Sequence, residues 1–167
     1  MAKKPKATSV DFNFGIGRII PATQESFKSG YDGAARKAEK GELADFKDVV
    51  SKQVEGALKG ISQFPTKSEV FVFIIQYFAG EKEYLKRDVD NMAKTILDVL
   101  KDRLYFDDSQ VKTLLAGKKM EKRVSQDFAY IAVKEIKDGR EVDAMTISGM
   151  ERSITLFQEL KSQGLLK

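Results

Sequence analysis

The sequence predicts a single α+β domain, a mixed β-sheet with packed helices, extended by an extra C-terminal helix. Three observations carry this expectation. Val70, Phe71, Val72, Phe73, Ile74 and Ile75 form an unbroken β-branched and aromatic run, as a strand covered on both faces requires. Leu43, Phe46, Val50, Val54, Ala57, Leu58 and Ile61 recur at spacings of three and four, which is one apolar face of a helix. Val10, Phe12, Phe14 and Ile16 alternate with Asp11, Asn13 and Gly15, the period of a half-buried strand. A chain of 167 residues suits one continuous core rather than two. We divide it into a core over residues 1–140 and a C-terminal helical extension of the same domain over residues 141–167.

In chain order, a basic start (Lys3, Lys4, Lys6) precedes the first strand, Val10 to Ile16. Gly15 and Gly17 mark a bulge or the strand end, because neither a third glycine nor a lysine-serine pair follows to build a phosphate loop. Pro21 to Lys40 is polar and broken by Gly30 and Gly33, so it reads as a loop with room for a short basic helical stretch. The helix of about five turns from Leu43 to Ile61 follows, and Pro65 closes it. The 70–75 strand belongs at the centre of the sheet. Gly80, Glu81, Lys82 and Glu83 read as a turn. A second helix spans Asn91 to Arg103, with Met92, Ile96, Val99 and Leu100 on its buried face and Asp90 as N-cap. Leu104, Tyr105 and Phe106 form a short apolar run that would return the chain as a strand. Phe128 to Ile136 is a further strand, closed by an Asp138-Gly139 turn. Ser148 and Glu151 form a capping box ahead of the Met150, Ile154, Phe157, Leu160 stripe, and Gly164 stops this final helix.

Cysteine and histidine are both absent. That removes disulfides, zinc–thiolate sites and every triad that depends on an imidazole. Catalysis is left to carboxylates, lysine, hydroxyls or a hard metal ion. No run approaches the roughly 20 apolar residues of a membrane span, and no signal-type segment opens the chain, so the expected location is cytoplasmic. With 29 basic and 25 acidic side chains the net charge is +4, a mild bias that permits a polyanionic partner.

The chemistry concentrates between Asp88 and Asp108. Asp88 and Asp90 stand two apart, so on an extended segment both carboxylates leave one face, roughly 7 Å apart. Lys94 lies one helical turn beyond Asp90. Asp107-Asp108 comes after the short apolar run, which makes closure of the site by a third carboxylate geometrically open. Carboxylates about 5 Å apart repel by about 3 kcal/mol at an effective dielectric near 20, so three in a cluster call for a cation. Magnesium suits that donor set, because it takes carboxylate and water oxygens and neutralises charge developing on a phosphate. Asp98 and Asp102 read instead as a solvated helix face. A calcium loop does not fit, since Met92 and Ala93 follow the acids and Val99 occupies the position of the bidentate acid.

The strings Arg87-Asp88-Val89-Asp90-Asn91 with Lys94, then Asp98 and Leu100, then Asp107-Asp108-Ser109-Gln110-Val111 resemble the pattern of the RusA family of Holliday-junction resolvases. The close likeness covers residues 87–111, and the order of elements is compatible from about residue 10 to 137. It implies a homodimer that cuts four-way DNA junctions with magnesium, or manganese in its place. Asp88, Asp90 and Asp108 match the family's metal-binding and catalytic aspartates, and Lys94 matches its catalytic lysine. Asp107 matches the neighbouring acid, for which a turn role fits as well as coordination. The family's proline-rich segment after the first strand is replaced here by Ile20-Pro21-Ala22-Thr23.

Cations flank the acids. Lys86 and Arg87 precede them, and Lys112, Lys118, Lys119, Lys122 and Arg123 follow against Glu121 alone. Such flanks hold a phosphate backbone by counterion release, and Lys86, Arg87, Lys112, Lys118 and Lys119 are the expected DNA contacts. No base-reading motif is visible, so the expected mode is shape recognition of branched DNA by a dimer. The alternatives are a noncatalytic branched-DNA-binding module and a nuclease acting on flaps or forks.

Overall fold

The computed structural model describes residues 10–23 and 33–137. The expected Asp138-Gly139 turn and the helix from Ser148 lie outside the described residues. Within them, β1 (Phe12–Ile16), α1 (Gly33–Ala57), β2 (Glu69–Phe78), α2 (Glu81–Lys86), α3 (Val89–Leu100), β3 (Val111–Met120) and β4 (Phe128–Ile136) follow in order. The four strands form one mixed sheet in the order β1-β4-β2-β3. β1 and β2 each pair antiparallel with β4, and β2 pairs parallel with β3. The expected mixed sheet with packed helices is what the chain builds, and β2 lies inside it.

Strand alternation decides the two faces. Val70, Val72, Ile74 and Phe78 of β2 share a face with Phe12, Phe14 and Ile16 of β1 and Ile131 and Val133 of β4. On that face lie Phe46, Val50 and Val54 of α1 and Met92, Ile96, Val99 and Leu100 of α3, all part of one core. Gln76, fully buried on it, accepts a hydrogen bond from the Ile20 amide at 2.9 Å, which pins the segment leaving β1 over the sheet. The opposite face is covered less completely than the apolar run implies. Phe71 and Ile136 are buried there, but Phe73, Ile75 and Tyr77 are only half-buried.

Four local expectations are corrected. α1 begins at Gly33, inside the expected loop, and ends at Ala57; Leu58 and Ile61 belong to the turn behind it, where Gly60 has φ +83°, a conformation glycine adopts without a Cβ penalty. Glu81–Lys86 is a short helix and not a turn, helped by Glu81 and Glu83 at its positive end. α3 starts two residues earlier than expected, at Val89 with Asp88 rather than Asp90 at the N-cap, and ends at Leu100 rather than Arg103. Tyr105 forms only isolated bridges to Thr66 and Lys101, and the strand that returns is β3, whose lysines hide its alternation in the sequence.

Candidate active site

Asp88 caps α3 in extended geometry (φ −94°, ψ 130°) and Asp90 sits in the first helical turn. The chain turns there because Arg87 and Asp88 separate two helices, α2 and α3, with extended backbone at both junction residues. α3 is then tied down from behind: the Thr95 hydroxyl donates to the Pro21 carbonyl at 2.8 Å, and Thr23 bonds Asn91 at 3.3 Å. The motif asparagine thus links the helix to the segment after β1. Both aspartates are exposed. They line an open groove of about 600 Å³ with Arg87, Val89, Ala93, Leu114, Ala116 and Lys118.

The cations beside them are turned elsewhere. Arg87 pairs with Glu83 at 2.9 Å. Lys118 donates to the carbonyl oxygens of Tyr84 and Arg87, both at 2.7 Å, with its ammonium 4.6 Å from the Tyr84 ring centroid. Lys118 therefore clamps the turn that carries Asp88 while lining the groove. Asp88 itself makes no side-chain cap hydrogen bond, so its oxygens and the helix N-terminus face the groove together. Lys94 is exposed one turn along α3 from Asp90.

Asp108 is held at the other end of the same helix. It lies 3.8 Å from Lys101, the residue that caps the C-terminus of α3, and opens the 3-10 turn Asp108–Gln110 that leads into β3. α3 has 12 residues, which span about 18 Å. β3 gives a comparable separation: from Val111 to Lys118 the strand advances about 23 Å. Parallel pairing of β2 and β3 makes this unavoidable, because the helix between them runs back along the sheet. Asp88, Asp90 and Asp108 do not converge in one chain, and among the described residues no three acidic side chains stand close enough to hold one ion.

The turn that carries Asp108 is built with care. The Asp107 carboxylate accepts from the Ser109 amide at 2.8 Å; the Ser109 hydroxyl first and this amide second hold its pKa below the usual carboxylate value, and a capping box joins it to Gln110. Asp107 has the turn role. Nearby, burial pushes the Tyr105 phenol pKa up, reinforced by Asp108 and Asp98, and its hydroxyl donates to the Leu97 carbonyl at 3.0 Å. Asp98 pairs with Lys47 at 2.8 Å, and Asp102 occupies a turn at φ 65°, so neither joins the groove.

Of the expected DNA contacts, Lys86 ends α2 and is exposed. Lys112 lies 3.4 Å from Glu69, and Lys119 is exposed 4.0 Å from Glu121. Sequence reading missed Leu114 and Ala116 as the groove wall, because β3 itself went unread. Its signal was weak: an edge strand tolerates lysines and glycine, and Lys112, Gly117, Lys118 and Lys119 mask the alternation of Val111, Thr113 and Leu115.

The family model described as endodeoxyribonuclease RusA matches residues 17–131, more than half of the chain. No curated protein matches. No helix among the described residues is long and apolar enough to cross a membrane.

Proposed function

Because the chain belongs to the RusA endodeoxyribonuclease family, we propose that it hydrolyses phosphodiester bonds of four-way DNA junctions, in recombination and repair, as a magnesium-dependent homodimer. The observation that carries this reading is the pair of exposed carboxylates, Asp88 and Asp90, at the start of α3 in a groove open enough to admit a phosphate backbone. Neighbouring cations engage other partners, so the acids keep their oxygens for a ligand.

The donor set fits magnesium. Carboxylate oxygens are hard ligands, exposed here to the water that such an ion retains. Two carboxylates from one chain leave the third to be supplied. Asp108 stands about 18 Å away along α3, and a second copy packed with its Asp108 turn against the groove would complete the set. The homodimer is thereby part of the site rather than an accompaniment to it.

A bound magnesium ion would supply charge neutralisation on the scissile phosphate and acidify a coordinated water. The protein's own contribution is positional. Asp88 and Asp90 would hold the ion, and they keep the groove acidic at its centre. Lys94, exposed on the Asp90 stripe, offers an ammonium to the negative charge that grows on the phosphate oxygens. Lys118 fixes the Arg87–Asp88 turn through two carbonyls. Lys86, Lys112 and Lys119 supply phosphate contacts outside the groove.

The direct test is incubation with a synthetic four-way junction and magnesium, alongside flap and fork substrates. Paired nicks on opposed strands of the junction are expected. Binding without nicking on any branched substrate would replace this reading with a noncatalytic module.

A further inference from the structure

The face of the sheet turned away from α1 and α3 carries a second feature that the groove does not use. Tyr77 of β2 and Phe128 of β4 are direct cross-strand partners. Their rings stack with centroids 4.6 Å apart and planes 12° from parallel. Lys119 of β3 is the partner of Tyr77 on its other side. Together with Tyr130, Val124, Glu121 and Arg123 they line a hollow of about 520 Å³, a size that holds a small planar ligand. Lys119 and Arg123 are exposed at its rim, 58% and 85% of their side chains open to solvent. Glu121 is the one carboxylate among the lining residues.

The hollow adjoins the groove through the edge of the sheet. β3 is an edge strand, and successive residues of a strand point to opposite faces. Lys118 therefore lines the Asp88–Asp90 groove while Lys119 lines the hollow. A strand of DNA rounding that edge passes from the groove to the hollow. We propose that the Tyr77–Phe128 pair, with Lys119 and Arg123 at its rim, is a stacking platform for an unstacked base of the DNA strand bound at Asp88 and Asp90. Aromatic rings beside cations are how proteins bind bases without reading sequence. Arg123 is paired with Glu121 at 2.7 Å, so the positive charge left over at the rim is that of Lys119, which favours a polyanion over an acidic or purely apolar partner. Strand exchange at a branch point makes a base easiest to unstack there. The inference rests on the proposed function for its substrate.

The test measures affinity by anisotropy for a four-way junction, a linear duplex and a dT20 single strand, all in EDTA to prevent cutting. For Tyr77→Leu and Phe128→Leu we expect about tenfold weaker binding of the junction and of dT20, with duplex binding unchanged. Lys119→Gln, at an exposed position where folding is not at risk, should lower the salt slope of dT20 binding by about one. Unchanged dT20 affinity in both leucine variants, an equal loss on duplex, or an unchanged slope in Lys119→Gln overturns the platform. So does a dimer that becomes a monomer in sedimentation on Tyr77→Leu, which assigns the face to a second copy. If the wild type neither binds nor nicks the junction, the function reading fails, whereas the dT20 measurements still decide the platform.

Discussion

The side-chain amide of Gln110 donates to the Thr66 carbonyl at 2.9 Å. It also donates to the Ser68 carbonyl at 2.8 Å, while its oxygen accepts from the Phe106 and Asp107 amides at 2.8 and 3.0 Å. One side chain thus fastens the Asp107–Asp108 turn to the segment entering β2. Gln110→Ala leaves two carbonyls and two amides to find water, and should cost about 1–3 kcal/mol, read as a lower urea midpoint. Because Asp108 loses its anchor, junction cleavage should fall by more than the unfolded fraction explains. Wild-type cleavage at wild-type stability would show that the clamp is dispensable.

Lys118 faces the Tyr84 and Arg87 carbonyls at 2.7 Å rather than open solvent. Lys118→Met keeps the aliphatic stem and removes both bonds, releasing the turn before Asp88. Cleavage should fall tenfold or more, as small displacements of catalytic groups cost about a hundredfold. The salt slope of junction binding should hardly change. A slope lowered by about one, the signature of a lost phosphate contact, would instead make Lys118 a direct DNA ligand.

How much was legible before the structure follows from where each signal resides. The Asp90–Lys94 spacing was readable because it is local: residues four apart share a helix face whatever the tertiary fold. The extended Asp88–Asp90 pair was not, because α3 already begins at Val89 and takes Asp90 into its first turn. β2 was readable because a central strand is apolar throughout. The position of Asp108 was not, since it depends on whether β3 pairs parallel or antiparallel with β2, and the lysines of this edge strand concealed β3 itself. Gln110 stood in the motif, yet its role needs the Thr66 and Ser68 carbonyls, more than 40 residues away in sequence. Likewise the half-buried Phe73, Ile75 and Tyr77 look identical in sequence to the buried Val70 and Val72.

Glu135, almost fully buried, sets an acid limit on stability. Burial alone would raise its pKa, but hydrogen bonds from Thr66, Lys137 and Gln63 outweigh that and hold it below the usual glutamate value. A carboxylate with a depressed folded pKa contributes stability that is fully present above its unfolded value and is lost as pH falls through the folded one. Wild-type urea midpoints should therefore decline on acidification below the ordinary glutamate value of about 4.3. Glu135→Gln should be less stable at pH 7 and show a shallower decline. Parallel pH profiles for the two proteins would remove Glu135 from the account.

The separation of Asp108 from Asp88 and Asp90 by the length of α3 makes the site's composition open to genetic test. If each site combines Asp88 and Asp90 of one copy with Asp108 of the other, Asp90→Asn and Asp108→Asn homodimers should each lose at least a hundredfold in cleavage. Junction binding should persist or tighten, because a negative charge facing phosphate has gone. Mixing and refolding the two variants then gives heterodimers in which one site carries both substitutions and the other carries neither. Each heterodimer should recover single-strand nicking at one of its two sites, which is about a quarter of the wild-type site number when equal random mixing makes half of the dimers heterodimers. A heterodimer whose sites each lie within one chain would hold one damaged site of each kind and recover nothing. Recovered nicking thus assigns Asp108 to the partner's groove, and its absence, with heterodimers demonstrated by mass, would return the metal site to residues of a single copy.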